Sequence, residues 1–518
     1  MTTHPTRRAA LARAGAGLGA LATAPWAGAQ PATRPPLQIV GPWELAGLAP
    51  AKSGHVFTRL QIAETLTDAA DDGTPRPGLA RGWTVSADGL IWRFSLRPAA
   101  RFHDGSRVDA SAVVRCLQAA RTPPSLLSQA PIEAIDAEDA ATVRIRLSRP
   151  HGGLPALLAH SSTLVLAPAS FGRDGSVRAI IGSGPYRVLA LAPPQAVEAG
   201  VFEGYDGPRP AIERVRYLAA GRAETRALMA QAGQADLAFA LDPASMARLR
   251  DRPQLQLASV TLPRTILLKL DAGLPALHDL RVRQALSLAI DRVGIARAVL
   301  RQPDLAATQL LPPTLAGWHD PALPPLQHDP DGAQRSLRLA GWQRGPDGLR
   351  DPQGQPLRLS LRTFPDRPEL PLIATALQEQ WRQAGIAVQV AIGNSGDIPL
   401  GHRDGSLQLA LIARNYATVP DPTGTLQQDF GAQGGDWGAM GWHDPGVVRA
   451  LDELGRGTSS TGRRDALRAE VLHTLHTQLP VIPVAWYRLQ VAVNRRVAGV
   501  SLDPLERSYR LTSMTWTA

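Results

Sequence analysis

Arg414, Asn415 and Tyr416 follow directly on an apolar run, residues 407–413, and precede the elbow Pro420-Asp421-Pro422. An apolar run of that length reads as a strand covered on both faces. The prolines bar its continuation, and Asp421 can turn its carboxylate back onto the local backbone. A guanidinium, an amide and a phenol at the carboxyl end of a buried strand are ligand-binding groups where an α/β domain places them. Arg414 is the foremost candidate, because its permanently charged planar fork suits a carboxylate. Trp43, Trp437 and Trp442 stand, like Tyr416, on Gly- or Pro-rich loops and are expected against a ligand. His55 follows Gly54 at the start of the first helix and is expected to donate to a ligand anion, helped by the helix N-terminus. The plainer readings are a solvated turn at the elbow and a solvated cap at His55.

The chain offers no catalytic set. It has no G-x-S-x-G, no H-E-x-x-H and no pair of CxxC motifs. His473 and His476 lie three apart on a helical stretch without a carboxylate beside them and read as surface residues. Cys116 is the single cysteine, so no internal disulfide or thiolate metal cluster forms. It reads as a small buried residue on a helix that Asp109 can cap. No cofactor is expected. The formal charge of +10 comes from 55 basic against 45 acidic residues, but only Lys52 and Lys269 are lysines and the arginines are spread along the whole chain. With no basic run interleaved with aromatics, nucleic-acid binding is not expected.

Residues 1–29 read as an export signal. Arg7 and Arg8 precede a small-residue apolar run and an A-x-A pattern ending at Ala29. The arginine pair resembles a twin-arginine signal. Residues 30–36 read as a flexible leader. A first strand is expected at 37–40, a helix at 56–66, and a hairpin through Trp83, Val85, Trp92, Phe94 and Leu96, with Trp83, Trp92 and Trp381 in the core. Strands are expected at 142–147, 163–166, 212–218, 235–240, 265–270, 357–362, 387–392, 481–486 and 490–493. Helices are expected at 223–232, 280–290, 292–300, 333–340, 370–384 and 464–478. This α/β rhythm suggests two lobes, with the chain crossing near residue 265 and returning near residue 485, and hence a cleft.

The stretch PGLARGWTVSADGLIWRFSLRPAARFHDG (77–105) resembles the signature of extracellular solute-binding proteins of the peptide and nickel class. The resemblance continues through GSGPYRV (182–188), RVRQALSLAIDR (281–292), Asp329-Pro330 with AGW (340–342), and VPDP (419–422), and covers essentially the whole chain after the signal. It implies a two-lobed type II periplasmic-binding fold with an extra α/β subdomain inserted in lobe 1. The map is then lobe 1 at 37–264 with the insertion at about 67–180, lobe 2 at 265–485, and a return to lobe 1 at 486–518. It also implies a periplasmic monomer that closes on a small-molecule or peptide ligand and delivers it to the transmembrane permease subunits of an ABC importer. Peptide receptors of the family often hold the ligand ammonium with an aspartate just before the elbow. Here residues 417–420 are Ala, Thr, Val and Pro, and that carboxylate is missing. The nickel receptors surround an anionic chelate with arginines, tryptophans and a histidine. Arg414 and Tyr416 fall near their aromatic position, but an arginine of theirs is replaced around Ser161 and Ser162. A peptide-like anionic or zwitterionic solute is the expectation, with a nickel chelate, an exported hydrolase and a transporter-free sensor as alternatives.

Overall fold

The computed structural model describes residues 34–518 apart from Pro124, Asp347, Asp366, Gln433, Thr458, Ser459 and Ala518. The expected export signal lies outside the described residues. Two long strands, Leu255–Leu270 and Val481–Asn494, pair antiparallel in the middle of a ten-stranded sheet. On one side of them the sheet continues through Leu237–Phe239, Leu37–Gly41, Arg214–Ala219, Ala196–Val201 and Tyr186–Ala192. On the other it continues through Leu409–Asn415, Arg358–Thr363 and Ala387–Ile392. The register of the long pair shifts between Leu262 and Thr265, opposite Tyr487 and Trp486. Such an irregularity bends the ribbon, and here it bends where the apolar contacts change partners. Leu262, Leu489 and Val491 belong to a core built mostly from residues 37–239, with Tyr509, Leu511 and Met514 from the end of the chain. Ile266, Leu267, Val484 and Ala485 belong to a second core around Trp381, Leu361 and Leu411. The chain is thus a two-lobed α/β fold.

A separate four-stranded antiparallel sheet (Ala80–Val85, Ile91–Leu96, Thr142–Leu147, Ile132–Ala137) with the helix Ala110–Ala120 forms the additional subdomain. Period-two alternation buries Trp92, Phe94 and Leu96 on one face and leaves Arg93 and Ser95 half-buried on the other. Asp109 Oδ1 accepts from Ala112 N at 2.8 Å and caps the helix. Cys116 is 5 % exposed and trades weak hydrogen bonds with the Leu166 main chain at 3.3–3.4 Å. Burial pushes its thiol up to about 11, so it is a packing residue and not a reactive one.

Several expected elements lie elsewhere. The first helix spans Pro50–Arg59, not 56–66, because Pro50 occupies its first turn and Gln61 adopts a left-handed backbone (φ 53°) that stops it. Residues 163–166 are no strand: Thr163 closes a 3-10 turn, Ser161–Thr163, and the residues after it make single bonds such as Val165 N to Glu64 O (2.9 Å). The strands expected at 265–270 and at 481–486 with 490–493 are parts of the two long strands. The helices Asp397–Arg403, Thr423–Phe430 and Pro445–Arg456 had no counterpart in the sequence reading. For the last of these the signal was present, since Asp444 caps Val447 N at 2.9 Å and Pro445 follows as first helical residue.

Candidate functional site

A cavity of about 2140 Å³ lies between the two cores, with walls from the first helix, the start of the helix Glu369–Gln383 with Arg367 and Pro368 before it, the strand end at Asn415, the long-strand bend at Arg264 and Tyr487, and the segment 501–513. That volume is several times what one drug-sized molecule needs, as befits a cleft that a solute enters from solvent.

Three of the seven residues singled out from sequence line it: Trp43, His55 and Asn415. Asn415 stands beside Arg264 in the strand register, and its Oδ1 accepts from Ala417 N at 3.1 Å. The other four do not line it. Arg414 precedes Asn415, and neighbouring side chains of a strand point to opposite faces. Its guanidinium turns to the helix Thr423–Phe430 and donates Nε and Nη2 to Asp429, both at 2.7 Å, in a buried fork. Tyr416 is fully buried, and its main-chain N donates to Pro263 O at 2.8 Å. Trp437 and Trp442 pack edge-on against Phe364 and Phe430 in the second core. The glycine-rich turn carrying Trp437 is tied down by buried Lys269, whose Nζ donates to Gly435 O (2.9 Å) and Gly438 O (2.5 Å). The structure thus places Arg414 in an internal ion pair, and Tyr416, Trp437 and Trp442 in packing contacts, all outside the cavity lining.

The strongest cleft residue was not singled out. Arg59, in the last turn of the first helix, is 8 % exposed, and its guanidinium lies 3.8 Å over the Trp43 ring. Nε donates to the Glu506 main-chain O at 2.7 Å, while Nη1 has no partner among the described residues. Its sequence signal is weak: an arginine one helical turn after His55, on the same face. Across the cleft Glu369 stands beside the Tyr487 hydroxyl, and its Oε1 is buried without a partner among the described residues. Arg264 and Arg367 flank the Tyr487 ring at 5.2 and 5.1 Å.

Two other cleft arginines, Arg97 and Arg226, are saturated and structural. Arg97 binds Glu64 and Asp206 at 3.0–3.2 Å and the Gly78 carbonyl at 3.0 Å. Ser183 Oγ adds a bond to Glu64 at 2.9 Å, so the SLRP and GSGPY motifs meet at one half-buried carboxylate on the cleft wall. Arg226 fills four main-chain carbonyls, those of Ala220, Gly221, Phe239 and Ala240.

Burial pushes His55 down to about 4, with Arg59 and His160 adding to the shift, and burial pushes His103 and His160 down to about 4 as well. In the folded protein all three stay neutral between pH 4 and 6.5, whereas in the unfolded chain they take up protons below 6.5. Stability is therefore expected to fall as pH drops from 6.5 to 4. Melting temperature followed from pH 7 to 4.5 checks this, and His160→Gln should flatten the decline; a decline identical in both proteins would mean that His160 carries none of it.

The model of bacterial extracellular solute-binding proteins, family 5 Middle, matches residues 74–437. The chain belongs to this family. Family 5 relatives align over most of the length. The nickel-binding periplasmic protein of Escherichia coli is 26% identical over 477 residues, 87% of this chain and 88% of its own. The dipeptide-binding protein of E. coli is 23% identical over 84% of this chain and 85% of its own. Among solved structures, NikA from Brucella suis in complex with Fe(III)-EDTA superposes with a TM-score of 0.82 at 23% identity, covering 93% of this chain and 100% of that one. The unliganded open form of the murein tripeptide-binding protein MppA superposes at 0.78 with 21% identity, covering 94% and 98%. The type II periplasmic-binding fold of this family 5 chain is thereby established, and its members are binding proteins. No helix among the described residues is long and apolar enough to cross a membrane.

Proposed function

We propose that the protein is the periplasmic receptor of an ABC importer, capturing a peptide or peptide-like zwitterion by closure of its lobes and presenting it to the permease subunits as a monomer. One observation carries the reading: the cleft holds a guanidinium nitrogen of Arg59 on one lobe and a carboxylate oxygen of Glu369 on the other, each without a partner among the described residues. A solute with an anionic and a cationic end satisfies both and ties the lobes together, which is what closure needs. Glu369 supplies the acid that residues 417–420 lack. Lobe 1 runs from 37 to 264, lobe 2 from 265 to 485, and the remainder returns to lobe 1, so the bend at 262–265 and 486–487 is the hinge. Export follows from residues 1–29, with cleavage near Ala29. The chain carries out no reaction of its own.

A nickel chelate is the second reading, favoured by two neutral imidazoles, His55 and His160, on the same wall. Among the described residues no three His, Cys, Asp or Glu side chains converge on one point, so such a chelate would bring most of its own ligands. Thermal shift of the full chain with di- to pentapeptides, glutathione and nickel–histidine mixtures separates the two. Peptides are expected to raise the melting temperature in proportion to the logarithm of their concentration. The radius of gyration in small-angle scattering is expected to fall with the same compounds. A shift with nickel–histidine alone would favour the chelate, and ester or amide turnover without any shift would overturn a receptor.

A further inference from the structure

Glu506 lies between Arg59 and Arg264. Its Oε2 accepts from Arg264 Nη2 at 3.2 Å, and its Oε1 is 3.9 Å from Arg59 Nη2. The contrast is with Arg414 and Asp429, where two bonds of 2.7 Å close a fork. One carboxylate is stretched across two guanidinia and satisfies neither fully. Its main chain is fixed nonetheless. Glu506 adopts a left-handed backbone (φ 55°), its N donates to Asp503 O at 3.0 Å, its O accepts from Arg59 Nε, and Tyr509 N donates to Arg59 O at 2.9 Å. The side chain can therefore leave by changing rotamer, with no movement of the segment that carries it.

We propose that Glu506 is a resident stand-in for the solute's carboxylate. In the empty cleft its side chain keeps Arg59 and Arg264 from being buried cations without a counter-charge, which is costly. On binding, the solute's carboxylate takes the fork of Arg59, stacked on Trp43, with Arg264 beside it, and the Glu506 side chain swings out. The cleft thus requires an anion at this point and discriminates against a neutral isostere, because an amide cannot replace the displaced charge. The assignment rests on the cleft being a solute site, and it names the residues that set the solute's charge.

The test uses N-acetylglycine and N-acetylglycinamide, nearly equal in shape and different in charge, titrated into the full chain by saturation-transfer NMR. The wild-type protein is expected to prefer the acid. Glu506→Gln removes the competitor and should widen that preference on the order of tenfold. Arg59→Met should abolish it. Glu506→Asp keeps the charge but withdraws it from both arginines, and should fall between wild type and Glu506→Gln; it serves where the Gln variant does not fold. An unchanged preference in the Gln and Asp variants, a preference that survives in Arg59→Met, or no binding of the acid to any of these proteins overturns the assignment. Peptides that bind without any acid preference would sink it and leave the receptor reading standing. An acid preference without peptide binding would do the reverse.

Discussion

Arg414→Leu is expected to destabilise the protein by about 3–5 kcal/mol while leaving the cleft chemistry intact. Asp429 has a side chain only 2 % exposed, and both its oxygens are held by Arg414. Removing the guanidinium strands a buried carboxylate. Lys269 is the other cation acting on Asp429, but its ammonium is committed to the carbonyls of Gly435 and Gly438. The stranded acid must then protonate or draw in water, and either route lowers stability at neutral pH. Equilibrium chemical denaturation reads the loss directly. The double variant Arg414→Leu with Asp429→Leu is expected to regain most of it, since a buried ion pair replaced on both sides by apolar groups is often neutral. A single-variant loss under about 1 kcal/mol would show that solvent reaches Asp429.

The distance between that outcome and a lost ligand contact comes from one residue of strand register. Composition, the apolar run and the elbow placed a strand end near 414–416, and Leu409–Asn415 ends there. Which of two adjacent side chains faces the cleft depends on what lies on each face, and Arg414 lies over a helix, Thr423–Phe430, whose Asp421-Pro422 start reads in sequence only as an elbow. Asn415 faces the cleft instead. The tryptophans followed the same logic. Trp43 lines the cavity because Arg59 and Phe239 prop it there, the latter at a centroid distance of 6.4 Å, whereas Trp437 is pulled into the second core by a turn pinned to Lys269. Elements with strong periodicity, such as Ile91–Leu96 and Glu369–Gln383, were legible within a residue or two. The charge pairing of arginines was not: in a chain whose cations are nearly all arginine, residue type carries no information about which guanidinium is saturated. Arg97 and Arg59 look alike in sequence. Only the fold shows that Glu64 and Asp206 complete the first and that the second keeps a nitrogen without a partner among the described residues.

Gly184→Ala should be the most damaging small substitution near the cleft. A Cβ there would stand 2.1 Å from Gln61 O and 2.8 Å from Gln61 C, and one at Gly182 would stand 2.2 Å from Ile62 O. These are main-chain atoms, so no side-chain rotation relieves the clash. The segment they abut cannot retreat easily either. Gln61 already holds a left-handed backbone, Gly184 N donates to Ile62 O at 3.1 Å, and Tyr186 N donates to Gln61 O at 3.3 Å. The glycines of GSGPY thus let two stretches of backbone touch, and Ser183 between them locks the contact to Glu64. Overpacking of this kind costs about 3 kcal/mol or more. The same displacement reaches Arg59, two residues before Gln61, so affinity for an acidic solute should drop with stability. Gly462→Ala supplies the contrast: it sits in the helix Thr461–Gln478 with nothing within 4 Å of the added Cβ, and should raise stability by up to about 1 kcal/mol. If Gly184→Ala melts within a degree of wild type, the 182–184 turn can shift bodily, and the close approach is tolerated slack instead of a fixed joint between the subdomain and the helix that bears Arg59.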